Sequence, residues 1–180
     1  KGFSHFKVKL SITIQKMVRS DKATSGVMFS IDTESGFKDA VLINSIYGLG
    51  EYIVQGAVNP DEYYVFKPTL AKGFNAIISR RLGEKRKKLV YDSKAKTNMK
   101  SLPVTRKDQH RFALSDKEVH QLAKWAVTIE EHYKKPMDME WAKDGFTGKL
   151  YIVQARPETV RSQDDPNTLT EYKLKEHGKL

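Results

Sequence analysis

The sequence contains no cysteine, which excludes disulfides, thiolate metal sites and a cysteine nucleophile, and weakly favours a cytoplasmic location. It has no apolar run approaching the length of a membrane-spanning helix, so no membrane partner is expected. The opening Lys1-Gly2-Phe3-Ser4-His5-Phe6 lacks an initiator methionine, an apolar signal core and a small-residue cleavage pattern, which suggests a piece of a longer soluble protein. Five histidines, His5, His110, His120, His132 and His177, are scattered without metal-ligand spacing. Gly48 and Gly50 are followed neither by the Lys-Ser/Thr of a phosphate loop nor by the third glycine of a dinucleotide fingerprint. What is there is a globular balance, 39% hydrophobic and 30% charged over 180 residues, enough for one domain with a sizeable core.

The net charge of +10 raises the question of a polyanionic partner. Basic residues gather at Arg80, Arg81, Lys85, Arg86, Lys87 and Lys88. Leu82-Gly83-Glu84 splits the group, however, and only Tyr91 stands near as a base-stacking candidate. A solvated hairpin without nucleic acid is the expectation for this stretch.

Two polar clusters in the last third carry more chemistry. From Pro136 to Ala142, Met137, Met139 and Trp141 alternate with Asp138, Glu140 and Ala142, the period of a strand. A second alternating run spans Lys149 to Arg156, and Asp144-Gly145 with Gly148 between them supplies a hairpin turn. In an antiparallel register that sets Glu140 opposite Gln154, the same count sets Asp138 opposite Arg156. All four side chains then share one face, with directly opposed partners about 4.5–5.5 Å apart. Glu140 and Gln154 offer the oxygens that Mg²⁺ takes beside nucleotide phosphates, and Arg156 offers a fork of donors to the phosphates. The face of an ordinary solvated hairpin would show the same opposite charges.

Along the rest of the chain, Val8, Leu10, Ile12 and Ile14 predict a long amphipathic strand running into Gln15-Lys16-Met17-Val18. Strands are expected again at Gly26 to Ile31 and Ala40 to Asn44, continuing an antiparallel meander, and at Glu62 to Lys67 after a short helix opened by Tyr47-Gly48-Leu49-Gly50-Glu51. Ala76 to Arg81 and Leu89 to Asp92 read as another strand pair, and Asp92 to Gln109 as an irregular excursion. Ser115-Asp116-Lys117-Glu118 is a capping box. It opens a helix whose apolar stripe runs through Val119, Leu122, Ala123, Ala126, Ile129 and Tyr133, with His120, Glu130 and His132 facing solvent.

Taken in order, Gln15-Lys16-Met17-Val18, Ser25-Gly26-Val27-Met28-Phe29, Tyr47-Gly48-Leu49-Gly50-Glu51, Val54-Gln55-Gly56 and Asn59-Pro60-Asp61 resemble the nucleotide-binding domain of the phosphoenolpyruvate synthase, or pyruvate, water dikinase, family. Pro136-Met137-Asp138-Met139-Glu140-Trp141 and Gln154-Ala155-Arg156-Pro157-Glu158-Thr159 look like its closing motifs. The resemblance covers nearly all of residues 14–160. It implies an α+β, mainly antiparallel sheet of the ATP-grasp type over 1–160, an incomplete domain, and the start of a linker toward a phosphohistidine domain over 161–180. It further implies MgATP as ligand, with Gln15, Lys16, Met17, Val18 and Glu51 at the nucleotide, Glu140 and Gln154 on Mg²⁺, and Arg156 as both nucleotide-binding and catalytic. The expected partners are a swivelling phosphohistidine domain and a pyruvate-binding domain of the same longer chain. A related dikinase, or a non-catalytic nucleotide- or nucleic-acid-binding module, is the alternative.

Overall fold

The computed structural model describes residues 12–159. The expected linker over 161–180 and the first part of the expected N-terminal strand lie outside them. Residues 12–19 have no regular secondary structure, so the strand does not continue into 15–18. Ile14 is 96% exposed, and a strand there would have had to bury it.

A short 3₁₀ turn at Ser20–Lys22 leads into β1, Thr24–Phe29. There follow β2, Ala40–Tyr47, the single-turn α1, Glu51–Val54, β3, Asp61–Phe66, α2, Lys67–Ala71, and β4, Ile77–Arg81. Next come β5, Lys87–Tyr91, β6, Met99–Pro103, α3, Arg106–Gln109, and α4, Asp116–Tyr133. The described residues end in β7, Met137–Lys143, and β8, Leu150–Pro157. Six strands form one sheet in the order β4-β3-β2-β1-β7-β8, every neighbour antiparallel. β1 and β2 pair antiparallel as the expected meander has them, and β3 and β4 extend it.

The expected pairing of residues 76–81 with 89–92 is not formed. β4 pairs with β3, while β5 pairs with β6 from inside the stretch expected to be irregular. β6 carries one fully apolar pair, Met99 and Leu102, and ends on a proline, too weak a period to announce a strand.

α4 packs across one face of the sheet. Ser115 donates its N–H and its hydroxyl to Glu118 Oε2, at 2.9 and 2.7 Å, which orders the helix start. Burial pushes the Glu118 carboxyl up, but hydrogen bonds from Lys143 and Ser115 outweigh it and hold the group below its ordinary range. Val119, Leu122, Ala123 and Ala126 meet Met28, Val41, Ile43, Tyr63, Val65, Met137, Met139 and Trp141 in the core. Tyr133 departs from the expected stripe: it is 52% exposed and packs edge-on to His132. Glu130 and His120 depart too. Glu130 takes Lys67 Nζ at 2.5 Å, and His120 Nε2 accepts the Ala76 N–H at 3.1 Å, tying α4 to the segments flanking β3 and β4. The site is on the opposite face of the sheet.

Candidate nucleotide-binding site

β7 and β8 pair with Asp138 opposite Arg156 and Glu140 opposite Gln154, the register that the sequence count requires. Beyond Glu140 the register slips, so that Trp141 faces Ile152 and Val153 is an extra residue in β8. This bulge decides which face carries the chemistry. Leu150 and Ile152 pack against the core, yet Gln154 and Arg156, of the same parity, stand with Glu140 and Asp138 on the other face. One inserted residue reverses the alternation, as bulges beside functional sites do. Simple alternation from Lys149 to Arg156, as read in the sequence, misses this reversal.

On that open face lies a cleft of about 620 Å³, within the usual range for small-molecule sites. Residues 15–18 form one wall, Leu49, Gly50 and Glu51 another, and Ser25, Val27 and Glu140 the floor. Tyr91 and Val153 close the rim. Five of the residues singled out in the sequence, Gln15, Lys16, Met17, Val18 and Glu51, thus meet a sixth, Glu140, although the three groups are far apart in the chain. Gln154 and Arg156 do not line this cavity; they extend the same face on the exposed edge strand. Glu51 also accepts Gln55 Nε2 at 2.8 Å. The sequence reading did not assign Tyr91, Ser25 or Val153 to the site. Tyr91 was legible only as an aromatic near a basic run.

Local chemistry fixes these walls. Gly48 has φ of 85°, and a Cβ there would overlap the Leu89 carbonyl oxygen, so only glycine lets β5 lie against the loop that enters α1. Leu49 N–H donates to that same Leu89 oxygen at 2.9 Å. Arg19 holds the 15–18 segment from the other end. Its backbone N–H donates to Asp144 Oδ2 at 3.1 Å, its side chain forks onto Asp21, and its guanidinium lies over the rings of Tyr91 and Phe146, 5.6 and 5.4 Å from their centroids. Asp144 also takes the N–H groups of Phe146 and Thr147, at 3.0 and 2.8 Å. These backbone donors, from Thr147 and Arg19 first, hold its carboxyl down at about 2. The hairpin turn and the cleft wall are therefore joined at one carboxylate.

The basic segment is solvated over most of its length but is not a hairpin, and Lys85 is buried. Arg80 pairs with Asp116, Arg81 with Glu62, Arg86 with Glu84 and Lys85 with Asp61, and Lys87 lies over the Tyr52 ring.

Among the described residues no three carboxylates or histidines cluster as a self-sufficient metal site. Glu140 and Gln154, directly opposed, present one carboxylate and one amide oxygen. That set fits Mg²⁺, which takes one or two hard protein ligands and completes its shell with water and substrate phosphates. Arg156 Nε lies 2.8 Å from Asp138 Oδ2; this hydrogen bond first, and then the charge attraction, raises the guanidinium further above its ordinary range.

The architecture and the open-faced cleft together define an α+β domain of the ATP-grasp type. The family described as pyruvate phosphate dikinase, AMP/ATP-binding domain, matches residues 1–176, and the chain belongs to that family. Among curated proteins it is 57% identical to phosphoenolpyruvate synthase of Synechocystis sp. over 99% of its length, 56% to that of Aquifex aeolicus over 97%, and 54% to that of Escherichia coli over 99%. The chain spans only 21–23% of the length of these relatives. No helix among the described residues is long and apolar enough to cross a membrane.

Proposed function

We propose that the cleft binds MgATP as the nucleotide site of a cytoplasmic phosphoenolpyruvate synthase. In this reading residues 15–18 meet the base, Glu51 faces the nucleotide from the start of α1, and Glu140 with Gln154 would hold Mg²⁺ on the phosphates. The bound metal supplies neutralisation of phosphate charge. Arg156, oriented by Asp138, stabilises the charge that develops on the transferring group, which is what phosphoryl transfer demands of a protein.

In the longer protein the phosphate would pass to a histidine of a swivelling domain and from there to pyruvate in a further domain. The overall conversion is ATP, pyruvate and water to phosphoenolpyruvate, AMP and phosphate. The 54–57% identity to synthases favours this reaction over that of other dikinases. These 180 residues alone are not expected to turn over pyruvate.

The observation that carries the reading is the meeting of residues 15–18, Glu51 and Glu140 around one cavity, with Gln154 and Arg156 on the same face beside it. Calorimetric titration of the chain with ATP, with and without Mg²⁺ and across a salt series, tests it. Binding that needs Mg²⁺ supports the site; Mg²⁺-independent binding with a steep salt slope points to a polyanion module instead.

A further inference from the structure

Outside the cleft, the described residues include a fully buried ion pair. Asp61 and Lys85 are both 0% exposed at the side chain. Lys85 Nζ contacts Asp61 Oδ1 and donates to the Gly83 carbonyl at 2.9 Å. Asp61 Oδ1 also accepts the Gly83 N–H at 2.9 Å, and Oδ2 accepts the Ala113 N–H at 2.8 Å. Oδ2 also accepts the Ser45 hydroxyl of β2 at 3.5 Å, so the pair ties the 82–86 segment and the approach to α4 to the central strands. Lys85 holds φ at 43°, a left-handed conformation that a long side chain adopts only under constraint from its surroundings.

A buried pair of this kind contributes little net stability compared with apolar residues of similar volume, because desolvation offsets the attraction. What it does supply is a fixed position. Two residues beyond Lys85 begins β5, whose Leu89 oxygen holds the Leu49 N–H, and whose Tyr91 lines the cleft and donates its hydroxyl to Met17 Sδ at 3.1 Å. β5, the 48–51 loop and the 15–18 segment are thus linked in series to the place where Lys85 is anchored.

We infer that Asp61 and Lys85 are positioning residues for the nucleotide cleft: the pair sets where β5 lies, and through it the wall formed by Leu49, Gly50 and Glu51. The inference rests on the MgATP reading of that cleft. It assigns a role to the aspartate of the Asn59-Pro60-Asp61 motif and to the lysine hidden in the basic run.

The test is the double substitution Asp61→Leu with Lys85→Met, which removes the charges and keeps the volume. Its urea midpoint is expected at or above that of the parent. Hydrogen exchange at the Leu49 amide should become about tenfold faster, and MgATP affinity about tenfold weaker, because the wall is misplaced. A Leu49 amide and a Kd both within about twofold of the parent overturn the inference, as does faster exchange with unchanged affinity. Should the double variant not fold, Gly83→Ala takes its place. The new Cβ would overlap the Pro60 carbonyl and shift the same segment with both charges intact, and the same two changes are required. If the parent itself does not bind MgATP, the nucleotide reading fails, and Leu49 exchange alone decides whether the pair positions the wall.

Discussion

Arg156 lies opposite Asp138 across the β7–β8 pairing, with Nε and Nη2 at 2.8 and 2.7 Å from the same carboxylate oxygen, Oδ2. The Arg156 side chain is 65% exposed, so the pair does little to hold the fold together and much to aim one side chain. Asp138→Ala should change stability by less than about 1 kcal/mol. In the full-length protein it should lower kcat by roughly tenfold while leaving the KM for ATP nearly unchanged, since orientation of Arg156 matters in the transition state. Urea denaturation and steady-state kinetics read the two effects separately.

Asp144 gives the joint between hairpin turn and cleft wall a defined pH dependence. Its carboxyl sits at about 2 in the folded protein against an ordinary 3.8. The folded value is the lower one, so the joint stabilises the protein above about pH 4 and that contribution is lost as pH falls toward 2. Asp144→Asn, which keeps one acceptor oxygen and loses the other, should flatten this part of the stability profile. Urea midpoints of both proteins between about pH 2 and 5 check it.

The two faces of the sheet should separate stability from binding. Leu122 is fully buried between α4 and the sheet, on the side away from the cleft. Leu122→Ala should cost about 2–5 kcal/mol, with the MgATP affinity of the folded fraction unchanged. A matching loss of affinity would mean that the core and the cleft are not independent.

Much of this arrangement is legible in the residues, and what is not has physical causes. α4 announces itself by Ser115 and Glu118 at its start and an apolar stripe at helical spacing. With Glu140 set opposite Gln154, the pairing of Asp138 with Arg156 follows by count, but the turn does not fix that register, since Lys143 pairs with Leu150 and the bulge shifts the count by one. The bulge at Val153 leaves no such mark, because an inserted valine looks like one more strand residue, yet it puts Gln154 and Arg156 on the cleft side. β5 is legible as a strand, but its pairing with β6 is hidden for another reason. Their pairing buries little, so the alternation of apolar and polar residues is weak, and the basic run conceals that Lys85 points inward to Asp61. A charged residue destined for a buried pair has no signature until its partner is known.

The central claim is that Glu140 and Gln154 hold Mg²⁺ on a nucleotide in the cleft, and the Mg²⁺ dependence of ATP affinity in the parent and in Glu140→Ala tests it most directly. The account predicts that Mg²⁺ tightens ATP binding in the parent, and that Glu140→Ala removes most of that gain, a loss of roughly 10–100-fold at saturating metal. ATP binding by Glu140→Ala with the parent's affinity and Mg²⁺ dependence would contradict it.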